Sequence, residues 1–195
     1  MKIKEFILVL FVTTWTILIG IGFVWMADDT SRPGLSAKFN AKIPAEYFQK
    51  SKENLPQLFL FLHPKCSCSL ATLGELENLV ADNQDRVEIT VFFYKPAEES
   101  DDWVKTDLWY RTRRISPSVK MVILTEDEIE RFGVITSGQA FLYESDESLI
   151  FTGGITVARG HEGKSIGRQA IEDYLQTKYI SVPETPVFGC LLTSS

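Results

Sequence analysis

The feature that most constrains the fold is an uninterrupted run of apolar residues at positions 58–62, which His63 and Pro64 close. Such a run is typical of a strand that is buried on both faces, as in the middle of a parallel sheet. From Leu70 onward the apolar residues change to a helical spacing, at positions 70, 73, 76 and 80. The sequence therefore predicts a central strand that is followed at once by a helix covering it.

The rest of the chain alternates between strand and helix patterns. Two short apolar runs, 139–143 and 149–152, flank a polar loop and predict an antiparallel hairpin that Gly153 and Gly154 end. Two more strands are predicted at 87–94 and 121–124, and helices or helical turns at 45–52, 101–114, 126–132 and 165–179. This order predicts an α/β domain with a mixed central sheet and helices on both faces.

An uncharged apolar run at residues 6–26 predicts one membrane-spanning helix at the N-terminus. At 1.5 Å per residue it spans roughly 31 Å, close to the hydrocarbon thickness of a bilayer. Lys2 and Lys4 precede the run, so the positive-inside rule predicts a cytoplasmic N-terminus and a periplasmic or extracytoplasmic C-terminal domain. A cleaved signal peptide is the alternative, but bulky Trp25 stands where a cleavage site needs a small residue.

The chain divides into three predicted parts: an anchor (1–27), a linker (28–43) and a domain (44–195). The linker is polar, lacks periodicity and is interrupted by Pro33 and Gly34, which predicts a spacer. The formal net charge of −6 makes nucleic acid and anionic lipid surfaces poor partners. Three cysteines are too few for a disulfide-stapled scaffold.

The predicted chemical centre lies where the central strand ends and the next helix begins. Open α/β sheets place their sites at the carboxyl ends of strands, and this end carries His63, Pro64, Lys65, Cys66 and Cys68. A helix N-terminus and a nearby lysine both favour the thiolate form of a cysteine. Because the thiolate is both a nucleophile and a metal ligand, the segment is predicted to serve redox chemistry or metal binding.

With this motif the chain resembles membrane-tethered bacterial thioredoxin-like proteins, with Cys66-Ser67-Cys68 in the place of their two-cysteine redox motif. The resemblance implies a three-layer thioredoxin-like fold and a thiol–disulfide redox function toward a protein thiol or disulfide, without a cofactor. It also implies that Cys66 attacks the partner and that Cys68 resolves the mixed disulfide.

The sequence departs from this family at two positions. One residue, rather than two, separates the cysteines, and residues i and i+2 of a helix do not face each other. A bond between Cys66 and Cys68 would therefore need Cys66 in the loop before the helix. The family also has a proline before the first hairpin strand, where this chain has Ser137 or Gly138. This changes how a partner peptide could dock.

Copper binding is the alternative function. Thiolates together with imidazole select Cu(I), and His63, Cys66, Cys68 and His161 could supply such a ligand set. Copper chaperones for cytochrome oxidase assembly resemble this chain in having a membrane tether, a thioredoxin-like fold, two cysteines and a histidine. Cys190 is left over as an odd thiol, which suggests either a reactive or intermolecular cysteine or a small packing residue.

The position of His161 follows from strand direction. If the first hairpin strand starts beside the cysteines, the second strand returns to that end of the sheet at Gly154. The loop 155–164, with His161, then lies on the same side. We expect His161 either near Cys66 and Cys68, as a base or a ligand, or exposed in the loop.

Overall fold

The computed structural model describes residues 3–37, 43–48, 54–83 and 85–193. The chain forms two compact units, Met1–Arg32 and Pro33–Ser195. The first unit is one helix, α1 (Ile3–Ser31), which is long and apolar enough to cross a membrane. It extends four residues into the predicted linker, because the Arg32 guanidinium pairs with Asp28 and the Ser31 hydroxyl donates to the Ala27 carbonyl at 2.6 Å.

The second unit contains a mixed sheet of five strands in the order β3-β2-β1-β4-β5. β1 lies in the middle, pairs parallel with β2 and antiparallel with β4, and is buried over its whole length. β3 extends the parallel side, and β5 pairs antiparallel with β4. The strands are β1 (Gln57–Leu62), β2 (Glu88–Tyr94), β3 (Lys120–Leu124), β4 (Gln139–Tyr143) and β5 (Leu149–Gly154).

Helices cover both faces of this sheet. They are α2 (Cys68–Asn83), α3 (Asp107–Ile115), α4 (Glu126–Phe132) and α5 (Ile166–Thr177). Side chains alternate along β1, so Leu58, Leu60 and Leu62 pack with α2, α3 and α5, while Phe59 and Phe61 pack with α4 in a second, aromatic cluster. The predicted α/β fold with two covered faces is confirmed.

Three predicted elements differ in detail. The helix predicted at 101–114 is a 3₁₀ turn (Asp101–Val104) followed by α3, because Thr106 between them has extended backbone angles. The hairpin ends at Gly153 and Gly154 as predicted, but both pair with β4, so β5 is two residues longer than the predicted 149–152. Of the helix predicted at 45–52, the described part is a 3₁₀ turn (Ala45–Tyr47), and residues 49–52 lie outside the described residues.

Residues Pro33 to Ala37 of the segment that was predicted as a spacer are docked on the domain. The Gly34 N–H donates to the Val187 carbonyl at 2.8 Å, and the Thr136 hydroxyl donates to the Leu35 carbonyl at 2.7 Å. Ala37 is buried and donates its N–H to the Gln139 side chain at 3.0 Å. Main-chain groups of this segment are therefore held by one backbone carbonyl and two polar side chains of the domain.

Candidate functional site

The first part of the site is the cysteine turn, residues 63–67, between β1 and α2. The Cys66 N–H donates to the His63 carbonyl at 3.1 Å, which closes the turn, and α2 begins at Cys68. Cys66 therefore precedes the helix, and Cys68 is its first residue. This is the loop position that a disulfide of Cys66 requires.

The second part is the C-terminal tail, residues 183–193, which crosses the same edge of the sheet. It starts beside β5, where the Thr185 N–H donates to the Thr152 carbonyl at 3.1 Å. It ends beside residues 135–137, where the Ser137 N–H donates to the Cys190 carbonyl and the Leu192 N–H to the Ile135 carbonyl, both at 2.8 Å. These hydrogen bonds carry Cys190 across the sheet to the cysteine turn.

All three cysteines meet at this point. Cys66 and Cys190 form a disulfide with a Cα–Cα distance of 6.4 Å, although they are 124 positions apart in the sequence. Cys68 is a free thiol, and the three sulfur atoms lie within 4.8 Å of one another. Cys66 is buried, whereas Cys68 and Cys190 are partly exposed.

This pairing differs from the one that the motif led us to expect. Cys66 pairs with Cys190, the odd thiol of the sequence, and not with Cys68. Cys66 lies in the turn before α2, so the helical restriction on residues i and i+2 does not by itself exclude a bond to Cys68. The hydrogen bonds of the tail hold Cys190 beside Cys66, and the disulfide forms between these two residues.

Ser137 and Gly138 lie against the cysteine turn. The buried Ser137 hydroxyl accepts the His63 N–H at 2.9 Å and lies 2.8 Å from the Ser69 hydroxyl. The Gly138 N–H donates to the Phe61 carbonyl of β1 at 2.7 Å. With a φ of 93°, Gly138 has a conformation that favours glycine. These residues join the start of β4 to the cysteine turn.

His63 faces an aromatic group and not the sulfur atoms. Its ring centroid lies 5.7 Å from that of Trp103 and 5.5 Å from that of Tyr94. Its Nδ1 accepts the Lys65 N–H at 3.1 Å. Burial, and then the positive charge of Lys65, lower the pKa of His63. A neutral imidazole held in this way supports the turn.

Lys65 and Pro64 are also held by the segment that follows β2. The Lys65 ammonium lies 4.1 Å from the centroid of the Trp103 ring, a cation–π contact. The Thr106 hydroxyl donates to the carbonyl of the buried Pro64 at 2.9 Å. Sequence reasoning missed Trp103 and Thr106, because only the parallel pairing of β1 and β2 brings them beside the turn.

The loop that carries His161 packs farther along α2. The Gly163 N–H donates to the buried Glu75 carboxylate at 2.5 Å, at a point about 10 Å along the helix axis from Cys68. His161 is exposed, and its Nδ1 lies 2.7 Å from the Arg159 carbonyl oxygen of the same loop. Within the described part of the chain, the group of sulfur, nitrogen and carboxylate ligands around Cys66 consists of three cysteines and includes neither histidine.

Solved structures share this fold at low sequence identity. An uncharacterized conserved protein from Geobacillus kaustophilus is 14% identical, with a TM-score of 0.59 over 85% of this chain and 93% of that chain. A hypothetical protein from Sinorhizobium meliloti 1021 is 17% identical, with a TM-score of 0.57 over 72% of this chain and 80% of that chain. A thioredoxin-like protein from Aeropyrum pernix is 14% identical, with a TM-score of 0.44 over 80% and 96%.

Comparison of the sequence with protein-family models gives no match, and comparison with curated proteins gives none either. The fold is thioredoxin-like: a mixed sheet of five strands, helices on both faces and a cysteine pair, Cys66-x-Cys68, at the end of the central strand. One apolar helix, α1, precedes it.

Proposed function

We propose that this protein is a membrane-anchored, extracytoplasmic thiol–disulfide redox protein whose redox pair is Cys66 and Cys190. The observation that carries the proposal is the disulfide between these residues at the N-terminus of α2, with the Cys68 thiol within 4.8 Å. A sulfur beside a helix N-terminus is stabilised as a thiolate by the unpaired N–H groups and by the helix dipole, which makes it a better leaving group and nucleophile.

The exchange proceeds in two steps. In the reduced protein the Cys66 thiolate attacks one sulfur of a partner disulfide, which forms a mixed disulfide and releases the other partner sulfur as a thiolate. The Cys190 thiolate then attacks the Cys66 sulfur, re-forms the Cys66–Cys190 disulfide and releases the partner as a dithiol. Two electrons pass from the protein to its partner, and the reverse sequence oxidises a partner dithiol.

Cys68 takes a different part from the resolving role that the motif implied. Its thiolate attacks the Cys190 sulfur, which forms a Cys68–Cys190 disulfide and releases Cys66 as a thiolate. No external thiol is consumed, because the disulfide only moves within the protein. The closeness of all three sulfur atoms supports this step.

The membrane anchor supports the cellular setting of this chemistry. Lys2 and Lys4 precede the apolar run at residues 6–26, so the positive-inside rule orients the domain away from the cytoplasm. Disulfides persist in such extracytoplasmic compartments. The partner is a protein thiol or disulfide on that side of the membrane. A C-terminal alkaline phosphatase fusion, which is active only outside the cytoplasm, tests the orientation.

Cu(I) binding is the second candidate, and the three clustered sulfur atoms favour it. Soft thiolates select Cu(I), and reduction of the disulfide would supply three of them. The ligand set would then be Cys66, Cys68 and Cys190. The set that the sequence suggested was Cys66, Cys68, His63 and His161, without Cys190.

The test uses the full-length protein in detergent micelles, with single Cys→Ser substitutions at each of the three positions. We expect Cys66→Ser and Cys190→Ser each to lower the rate of partner-disulfide reduction by at least about 100-fold, and Cys68→Ser by less than about 10-fold. A Cys66→Ser variant that still turns over would overturn the redox proposal.

A Cu(I) competition assay with a chromophoric chelator separates the two candidates. If copper is the natural ligand, the reduced protein withdraws Cu(I) from the chelator and all three substitutions weaken binding alike. If the proposed redox function is correct, the rate of partner-disulfide reduction depends on Cys66 and Cys190. The rate of each variant is then unrelated to the amount of Cu(I) that the variant retains.

A further inference from the structure

We propose that the outer tail, residues 189–193, is a built-in mimic of the partner protein. It occupies the surface where an extended, cysteine-bearing segment of the partner binds, and it leaves that surface during exchange. This inference rests on the proposed redox function, since it identifies the partner of the same site.

The backbone contacts of the outer tail are those of an added β-strand. Leu191 forms an antiparallel bridge with Thr136, and hydrogen bonds to Ser137 and Ile135 lie on either side of it. Strand addition of this kind uses main-chain groups alone, so any extended segment can make the same hydrogen bonds. The segment 135–137, which precedes β4, therefore presents a peptide-binding edge that the chain's own tail fills.

The covalent contact is also the one that a partner would make. The proposed exchange passes through a disulfide between Cys66 and a partner cysteine, and the tail presents Cys190 to Cys66 in that way. The carbonyl of the same Cys190 accepts the Ser137 N–H at 2.8 Å. One short segment thus reproduces both the sulfur bond and the strand pairing of a mixed-disulfide complex.

The tail is anchored at its base by buried packing and strand pairing, and its outer part is attached in a different way. Thr185 is paired with β5, and Val187 is fully buried. Gly189 follows, and a Cβ built on it would lie 1.9 Å from the Ser137 carbonyl oxygen. Beyond this closely packed glycine, the outer tail is held by the disulfide, the strand hydrogen bonds and the Leu192 side chain.

Leu192 indicates what the partner segment carries besides cysteine. Its side chain is 1% exposed and belongs to the aromatic cluster that contains Phe61 and Phe141, whereas Leu191 is 57% exposed. A partner that replaces the tail must fill the space of Leu192, because an empty apolar cavity is costly. We therefore assign the partner as an extended segment with an apolar residue two positions after its cysteine.

Amide hydrogen exchange on the full-length protein in micelles tests whether the outer tail leaves. We expect the Ser137 and Leu192 N–H groups to exchange at least about 10-fold faster after reduction or in Cys190→Ser. The Gly138 N–H, which donates to Phe61 of β1, is the internal control and should not change. Unchanged exchange at Ser137 and Leu192 would show that the tail is a permanent part of the fold.

A second measurement tests the partner's chemistry. The variant with both Cys68→Ser and Cys190→Ser retains Cys66 alone, and the probe is a synthetic peptide of residues 186–193 whose cysteine is disulfide-bonded to thionitrobenzoate. The Cys66 thiolate attacks the peptide sulfur and releases thionitrobenzoate, which is measured by absorbance. We expect the peptide to react at least about 10-fold faster than the same peptide with Leu192→Asp, and to restore protection of the Ser137 N–H.

The outcomes separate this inference from the proposed function. Equal rates for the two peptides, or no protection of Ser137, would overturn the inference even if turnover is normal. Selective trapping with restored protection supports the peptide-binding edge even if the protein shows no turnover, in which case the redox function alone fails.

Discussion

The cysteine turn and the C-terminal tail bring sulfur atoms to the same point by different physical means. Cys66 is placed by local structure, since a strand end, a closed turn and a helix start lie within a few residues of it. Cys190 is placed by long-range pairing, with 124 positions between it and its partner. One half of the site is therefore built into the framework, and the other half is carried by a segment that the disulfide itself helps to hold.

This difference has an energetic consequence. In the chain-entropy description, closing a loop of this length restricts the unfolded chain by about 5 kcal/mol, whereas a Cys66–Cys68 bond would contribute only about 2 kcal/mol. A long-range disulfide thus links the redox state to the stability of the whole domain. A bond within the Cys-x-Cys motif would link it to the turn alone.

The largest effect that we predict is on stability when the tail loses its covalent link. Cys190→Ser should lower the free energy of unfolding by about 2–5 kcal/mol, because the unfolded chain regains the freedom of the long loop. Denaturant unfolding of the full-length protein in micelles measures it. Cys68→Ser is the matched control and should change the free energy by less than about 1 kcal/mol; equal losses would contradict the comparison.

The second prediction concerns how closely the two regions approach each other. Gly189→Ala places a Cβ against the Ser137 carbonyl, a backbone atom that cannot move aside freely. We expect the disulfide to become about 10-fold or more easier to reduce, because only the docked tail holds the sulfurs together. Equilibration in a dithiol redox buffer measures the shift. Leu191→Ala, at an exposed neighbouring position, should leave the equilibrium unchanged.

The third prediction tests the framework half. Ser137→Ala removes the hydroxyl that accepts the His63 N–H and contacts Ser69, so it should lower the free energy of unfolding by about 1–2 kcal/mol. Thermal or denaturant unfolding measures the loss. Ser67→Ala changes an exposed residue of the same turn and should have little effect; a similar loss there would show that the turn is not specifically supported by Ser137.

The smallest effect is a pH dependence that belongs to the turn and not to the outer tail. Because burial and then Lys65 lower the pKa of His63, its neutral form is favoured in the folded state. The stability that neutral His63 contributes is complete above the ordinary histidine pKa of about 6.5. It is lost as the pH falls toward the lower pKa that His63 has in the folded protein. Unfolding midpoints measured between pH 7.5 and 5 should fall more steeply for the wild type than for His63→Asn. Parallel curves would exclude this role.

The fold could be predicted in large part because its signals are local. The apolar run at 58–62 and the helical spacing after Leu70 are properties of neighbouring residues, and they correspond to β1 and α2. The hairpin appears as β4 and β5 for the same reason. The prediction of one continuous helix over 101–114 was wrong. The helix is interrupted at Thr106, whose hydroxyl donates to the Pro64 carbonyl, and a tertiary contact of this kind cannot be read from neighbouring residues.

The sequence predicted where the candidate site lies, but it did not predict which side chains meet there. The end of the central strand and the helix start at Cys68 follow from pattern, and the impossibility of pairing i and i+2 residues within a helix follows from helix geometry. Residue types alone could not rank His63 and His161 as ligands. The orientation of His63 depends on Trp103 and Tyr94, and the loop with His161 is held by Glu75.

What the sequence by itself determined is the framework: an apolar anchor helix, a buried strand, and a cysteine turn before a helix, each specified by residues close together in the chain. What only the tertiary structure decided is the sulfur pairing. Cys190 reaches Cys66 because its tail pairs with the main-chain groups of Ile135 and Ser137. Main-chain N–H and C=O groups are the same at nearly every residue, so such pairing leaves no signature in the sequence and is set only when the fold leaves the main chain of residues 135–137 open to it.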